Sequence, residues 1–184
     1  MKSIKENNNS TYIINKSKFI CFLYKVNSIN EINNYLDNIK KEYKDSTHIC
    51  YAYILDNIKK MSDDKEPSGT AGMPILNVLE SNELNHILCI VVRYFGGIKL
   101  GAGGLVRAYT KSVTNCLEKC NIKELKNMFK ITISFTYDET KKVDNILKEY
   151  EIIDKEYDDL IYYTFISDND NFNLNIIKKE NILY

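Results

Sequence analysis

The sequence predicts an α+β protein of two domains. Three observations lead there: strand-like and helix-like segments alternate along the chain, all seven glycines and both prolines fall between Pro67 and Gly104, and the charge is divided between the two ends. From Met128 onward, seven Lys stand against twelve Asp and Glu, a net charge of −5, which leaves +5 for residues 1–127. The neutral total hides two oppositely charged halves, and a boundary within 121–127 fits the split. The expected organisation is a partly disordered, Asn-rich N-terminus over 1–15, a first domain over 16–124 and a second over 128–184.

The elements follow in order. Residues 11–15 and 18–26 read as extended, the second segment rich in aromatic and aliphatic side chains. Ser28 with Glu31 three residues on makes a capping box, and Ile29, Ile32, Leu36, Ile39 and Tyr43 recur at helical spacing. A strand over 48–55 precedes a polar loop over 56–72. Pro74 suits the first turn of a short helix carrying Ile75, Leu76, Val78 and Leu79. Residues 86–94 form a continuous apolar run dense in β-branched side chains, the mark of a central strand buried on both faces. Helical spacing returns over 105–120. The second half reads strand 129–137, helix 139–150, strand 152–157, strand 160–167 and helix 171–179. That order is most of a ferredoxin-like β-α-β-β-α-β unit, with only residues 181–184 left for its last strand.

With 184 residues the chain can bury a sizeable core without disulfides or metals. Cys21, Cys50, Cys89, Cys116 and Cys120 are odd in number, lie in or beside apolar runs and include no C-x-x-C pair, so they read as reduced core thiols. The N-terminus lacks the apolar stretch of a signal peptide, and no apolar run approaches the roughly 20 residues of a membrane helix. A cytoplasmic protein with no membrane partner, no cofactor and no metal is expected. Twenty-five Lys and Arg balance 25 Asp and Glu, so contact with nucleic acid would need a local patch.

Such a patch is written in the glycine window. Gly69, Thr70 and Gly72 lead into the helix at Pro74, and Gly96, Gly97, Gly101, Gly103 and Gly104 lead into the helix at Leu105. Successive N–H groups in glycine turns, followed by a helix N-terminus, favour phosphate or carboxylate. Neither turn matches a P-loop or a dinucleotide fingerprint, and the same glycines also serve tight turns and close packing. Arg93 and Arg107, the only arginines, and Lys99 converge on the second loop, where Tyr94, Phe95 and Tyr109 interleave aromatic faces on which bases could stack. The alternatives are an ion pair of the arginines with Asp63, Asp64 or Glu66, and ordinary core packing of the rings, strongest for Phe95. Asp63, Asp64 and Glu66 form a candidate acidic site beside Ser68 and Thr70, and equally a solvated loop. His48 and His86 have no triad partners at a telling spacing, which leaves no catalytic residue to assign.

The string "SDDKEPSGTAGMPIL" from Ser62, followed by "VVRYFGGIKLGAGGLVRAYT" from Val91, resembles the signature of the IMPACT family and its bacterial, YigZ-like branch. "THICYAY" from Thr47 and "SKFI" from Ser17 resemble the blocks that precede it. The chain departs from the family pattern at Lys65, where glycine is usual, and at Ile49, where asparagine is usual. The resemblance implies a first domain folded like the second domain of ribosomal protein S-five and a second domain like the last domain of elongation factor G. It further implies a role in the regulation of translation. The functional expectation is a protein that binds RNA or ribosome phosphate through the two glycine loops, with a protein partner for the acidic second domain. The alternative is an enzyme acting on a phosphorylated small molecule or nucleotide, positioned by the loops and served by Ser68, Thr70 and the nearby carboxylates.

Overall fold

The computed structural model describes residues Met1–Tyr184, which divide into two compact units, Met1–Glu124 and Leu125–Tyr184. The first unit is built on a five-stranded antiparallel sheet. Its elements are β1 (Lys2–Ile4), β2 (Asn8–Ile14), β3 (Ser17–Lys25), α1 (Ile29–Glu42), β4 (His48–Leu55), β5 (Ile58–Ser62), α2 (Gly72–Ser81), β6 (Ile87–Tyr94), α3 (Gly101–Leu117) and β7 (Ile122–Glu124). The sheet order is β2-β3-β6-β4-β5, and β1 pairs with β7 in a separate two-stranded ribbon.

Strand β6 occupies the centre, and its apolar run is continuous because both faces of the sheet are covered. Leu88, Ile90 and Val92 face the layer that holds Ile32, Leu36 and Ile39 of α1. Ile87, Cys89 and Val91 face the opposite layer, with Ile75 and Leu79 of α2 and Leu105, Tyr109 and Val113 of α3. Period-two alternation continues to Arg93, which therefore points into the second layer instead of into solvent. Helix α1 begins where the capping residues place it: Ser28 Oγ accepts the Glu31 N–H, and the Glu31 carboxylate accepts the Asn27 N–H.

Three readings of this unit change. The first fifteen residues, expected to be partly disordered, form β1 and β2. Strand β2 pairs with β3 from Asn8↔Leu23 to Ile14↔Ser17, and Ile4 is fully buried. The loop over 56–72 contains β5, which closes a hairpin on β4 through Asp56 at φ 52°. Helix α3 starts at Gly101, inside the glycine cluster, four residues ahead of Leu105. All five cysteines are free thiols, and no helix is long and apolar enough to cross a membrane.

The second unit contains β8 (Asn127–Phe135), a short 3-10 turn (Tyr137–Glu139), α4 (Thr140–Ile146), β9 (Glu151–Tyr157), β10 (Ile161–Ser167) and β11 (Ile176–Leu183). The order β11-β8-β10-β9, antiparallel throughout, is the ferredoxin-like arrangement. Here the correction concerns the last two elements. Residues 171–179 do not form a helix, and the final strand has eight residues. Phe172 and Leu174, in the connection before β11, pack on the cluster of Ile131, Ile133, Phe135, Val143, Leu147 and Phe165. The Phe172 and Phe165 rings meet edge-on at 5.1 Å, so two side chains cover apolar surface that a second helix would otherwise protect.

Candidate anion site

The first glycine turn holds an anion already, and it belongs to the chain. Asp63 Oδ2 accepts the Gly69 N–H at 2.9 Å, while Oδ1 accepts those of Ala71 and Gly72 at 3.0 and 2.8 Å. Burial works to raise the Asp63 carboxyl, but the backbone donors of Gly69, Gly72 and Ala71 together outweigh it and hold the group below the usual carboxylate value. Thr70 is buried, and its hydroxyl donates to the Pro67 carbonyl at 2.6 Å. The expected arrangement of N–H groups is present at Gly69 and Gly72, with a carboxylate where an external phosphate was expected.

The other acids are also committed. Asp64 Oδ2 accepts the Ile49 N–H at 2.6 Å, and the Asp64 carbonyl accepts from His48 Nδ1 at 2.7 Å. Nδ1 is the donor in that bond, and Nε2 lies 3.8 Å from a Glu66 carboxylate oxygen. Glu66 is buried and accepts from Arg93 Nη1 at 2.5 Å and from the Tyr109 hydroxyl at 2.9 Å on the same oxygen. The Tyr109 hydroxyl in turn meets the Cys50 thiol at 3.3 Å. Burial, then the neighbouring Cys50 and Glu66, push the Tyr109 hydroxyl far above its ordinary value, and burial pushes the Cys50 thiol up to about 12. Arg93, Tyr109 and Glu66 therefore form an internal polar cluster, and neither Arg93 nor Tyr109 is presented to a ligand.

The second loop is different. Gly96 lies against the β2–β3 turn so closely that a Cβ there would stand 2.0 Å from the Lys16 carbonyl carbon. The loop is pinned at two points, the Phe95 N–H donating to Thr47 Oγ1 at 2.9 Å and the Gly96 N–H to Ser17 Oγ at 3.1 Å. Gly97 and Gly101 adopt φ of 85° and 69° in open space, turning the chain into α3. No side chain caps α3, and its first turn carries no acidic residue. Helical side chains lean toward the N-terminus. A Cβ on Gly103 would accordingly lie 3.5 Å from Arg107 Nη1. Lys99 is exposed one residue before Leu100, at the same end of the helix.

Of the residues singled out in the sequence, Gly96, Gly97, Lys99, Gly101, Gly103, Gly104 and Arg107 thus share one helix end, while Gly69, Thr70, Gly72 and Arg93 are engaged internally. Sequence reasoning did not assign Ser17 and Thr47, the two hydroxyls that fix the loop. The signal was present, because each stands in one of the short blocks that resemble the family pattern.

Residues 15–117 match the Impact N-terminal domain. The chain belongs to the IMPACT family. It is 41% identical over 181 residues to the IMPACT family member YvyE of Bacillus subtilis (strain 168), covering 97% of this chain and 80% of that protein. It is 32% identical over 151 residues to the IMPACT family member YigZ of Escherichia coli (strain K12), covering 78% of this chain and 74% of that protein. A crystal structure described as that of a hypothetical protein superposes with a TM-score of 0.68 at 27% identity, over 90% of this chain and 84% of the other. The IMPACT match spans the Asp63 turn, the Glu66–Arg93 pair and the whole of α3, so the internal cluster and the open loop both lie within the family domain.

Proposed function

We propose that this IMPACT family member acts in the regulation of translation by binding the phosphate backbone of RNA, on the ribosome, at the N-terminus of α3. The observation that carries the reading is electrostatic. Helix α3 presents unpaired N–H groups and the positive end of its dipole, and the Arg107 guanidinium lies over that same end with Lys99 nearby. A cation is unfavourable at a helix N-terminus unless an anion joins it. No carboxylate of the chain pairs with Arg107 or Lys99, in contrast to the Asp63 turn, where the chain supplies its own.

Phosphate fits this arrangement because its oxygens take N–H donors from the helix and a forked pair from arginine at once. Backbone contacts of this kind position a protein without reading sequence, so binding is weak, shape-directed and sensitive to salt. The acidic second unit, with its net charge of −5 from Met128 onward, suits a basic ribosomal protein better than RNA. The test is co-sedimentation of the purified protein with ribosomes at low and moderate salt, comparing wild type with Arg107→Glu. Salt-sensitive binding that the substitution abolishes supports the reading. Binding that survives Arg107→Glu at every salt concentration overturns it.

A further inference from the structure

The loop that carries the proposed phosphate site also carries an exposed ring with a fixed geometry. Arg93, itself buried, has its guanidinium carbon 5.4 Å from the Phe19 ring centroid and 5.6 Å from that of Phe95. Phe19 is fully enclosed, whereas Phe95 is 45% exposed. With the guanidinium over one face of the Phe95 ring, the open area falls to the rest of the ring. Of the three aromatics beside the loop, Tyr109 is wholly buried and Tyr94 has its hydroxyl tied to Asp45, which leaves Phe95 as the open one.

We infer that Phe95 is a stacking platform for an unpaired nucleobase, and that the RNA bound at the α3 N-terminus is single-stranded at this point. This rests on the phosphate reading above and names the form of its partner. Three features support it. The backbone that carries the ring is preorganised, because the Phe95 N–H is held by Thr47 and the next residue's by Ser17, and the Arg93 guanidinium backs the ring, so that stacking orders little of the loop that is not already ordered. A cation behind the ring favours contact between its open face and an electron-rich heterocycle. Three residues separate Phe95 from Lys99, in the short loop that runs into Gly101 at the start of α3, so one loop joins an exposed apolar ring to anion-binding donors, the combination used by proteins that hold single strands. Paired bases in an A-form duplex offer no free face to such a ring.

The experiment compares binding of the full chain to a short single-stranded oligoribonucleotide and to the blunt duplex of the same sequence, both followed by fluorescence anisotropy. A single-stranded probe containing 2-aminopurine reports stacking directly. Wild type should bind the single strand more tightly than the duplex and quench 2-aminopurine. Phe95→Ala should weaken single-strand binding about tenfold and abolish the quenching, Phe95→Trp should restore both, and duplex binding should be unchanged in either variant. Arg107→Glu should weaken single strand and duplex alike. Equal affinity of Phe95→Ala and wild type for the single strand, or no quenching by wild type, overturns the stacking role while leaving the Arg107-dependent phosphate site standing. Loss of ribosome binding in Phe95→Ala without loss of oligonucleotide binding also overturns it, because the ring would then contact protein. Failure of wild type to bind either RNA overturns both readings.

Discussion

Glu66 and Arg93 pair inside the first unit with side-chain exposures of only 3% and 6%, joining the Pro67 loop to the end of the central strand. Both charges are removed from water, and each is tolerable because the other is present. Glu66→Gln should therefore destabilise the protein by about 3–5 kcal/mol, since it leaves an uncompensated guanidinium in the core. Replacing both partners together, Glu66→Leu with Arg93→Met, should recover much of that loss. Urea unfolding of Glu66→Leu, Arg93→Met and the double variant checks this, and a double variant as unstable as the sum of those two singles would show that the pair is not acting as a unit.

Asp63 links stability to pH. Its carboxyl is held below its ordinary value by the Gly69, Gly72 and Ala71 donors, which prevail over the opposing effect of burial. The stabilisation is thus fully present above the unfolded-state pKa of about 3.9 and is lost as pH falls through the lower folded-state value. Asp63→Ala should cost about 2 kcal/mol at neutral pH, and the difference from wild type should shrink as the medium is acidified below pH ~4. Chemical unfolding at neutral pH and again near pH ~3 measures both effects.

Two glycines of the second loop should respond differently to alanine. Gly96→Ala collides with the Lys16 backbone and should cost at least about 2 kcal/mol. Gly97→Ala meets open space and incurs only the left-handed backbone penalty of about 1–2 kcal/mol. Thermal and urea unfolding of the two variants should rank them in that order.

Lys65 adopts φ of 68°, next to Asp64 at 41°, in the left-handed region that glycine enters most readily. Lys65→Gly removes a left-handed penalty and adds unfolded-state entropy, with a net stabilisation of up to about 1 kcal/mol expected. Equal or lower stability of the variant, by urea midpoint, would count against strain at this residue.

Much of the fold is legible because local signals agree with tertiary demands. Ser28 and Glu31 start α1 where the capping pattern puts it, and the run ending at Tyr94 is a strand buried on both faces. Strand β5 is not legible: Ile58, Lys59, Lys60 and Met61 are all exposed, so no apolar alternation marks it. Strand β11 is hidden for a related reason, since an irregularity between Ile176 and Lys178 breaks the period of two that the eye would follow. At the site, glycine turns and cations can be read from the sequence, but which anion fills each turn cannot. Asp63 reaches Gly69 only because the intervening residues fold back on themselves, a tertiary fact with no periodic signature. Phe95 is the converse case: hydrophobicity predicts burial, and the short pinned loop leaves the ring at the surface.

The phosphate site proposed here is built from Arg107 and the α3 N-terminus. It is tested most directly by the salt dependence of binding to a ribosomal RNA fragment, comparing wild type, Arg107→Glu and a charge-matched control on an exposed strand, Lys60→Glu. The log–log slope of wild type should fall by about one unit in Arg107→Glu, with a large loss of affinity, while Lys60→Glu stays close to wild type. Identical slopes and affinities for wild type and Arg107→Glu would contradict it.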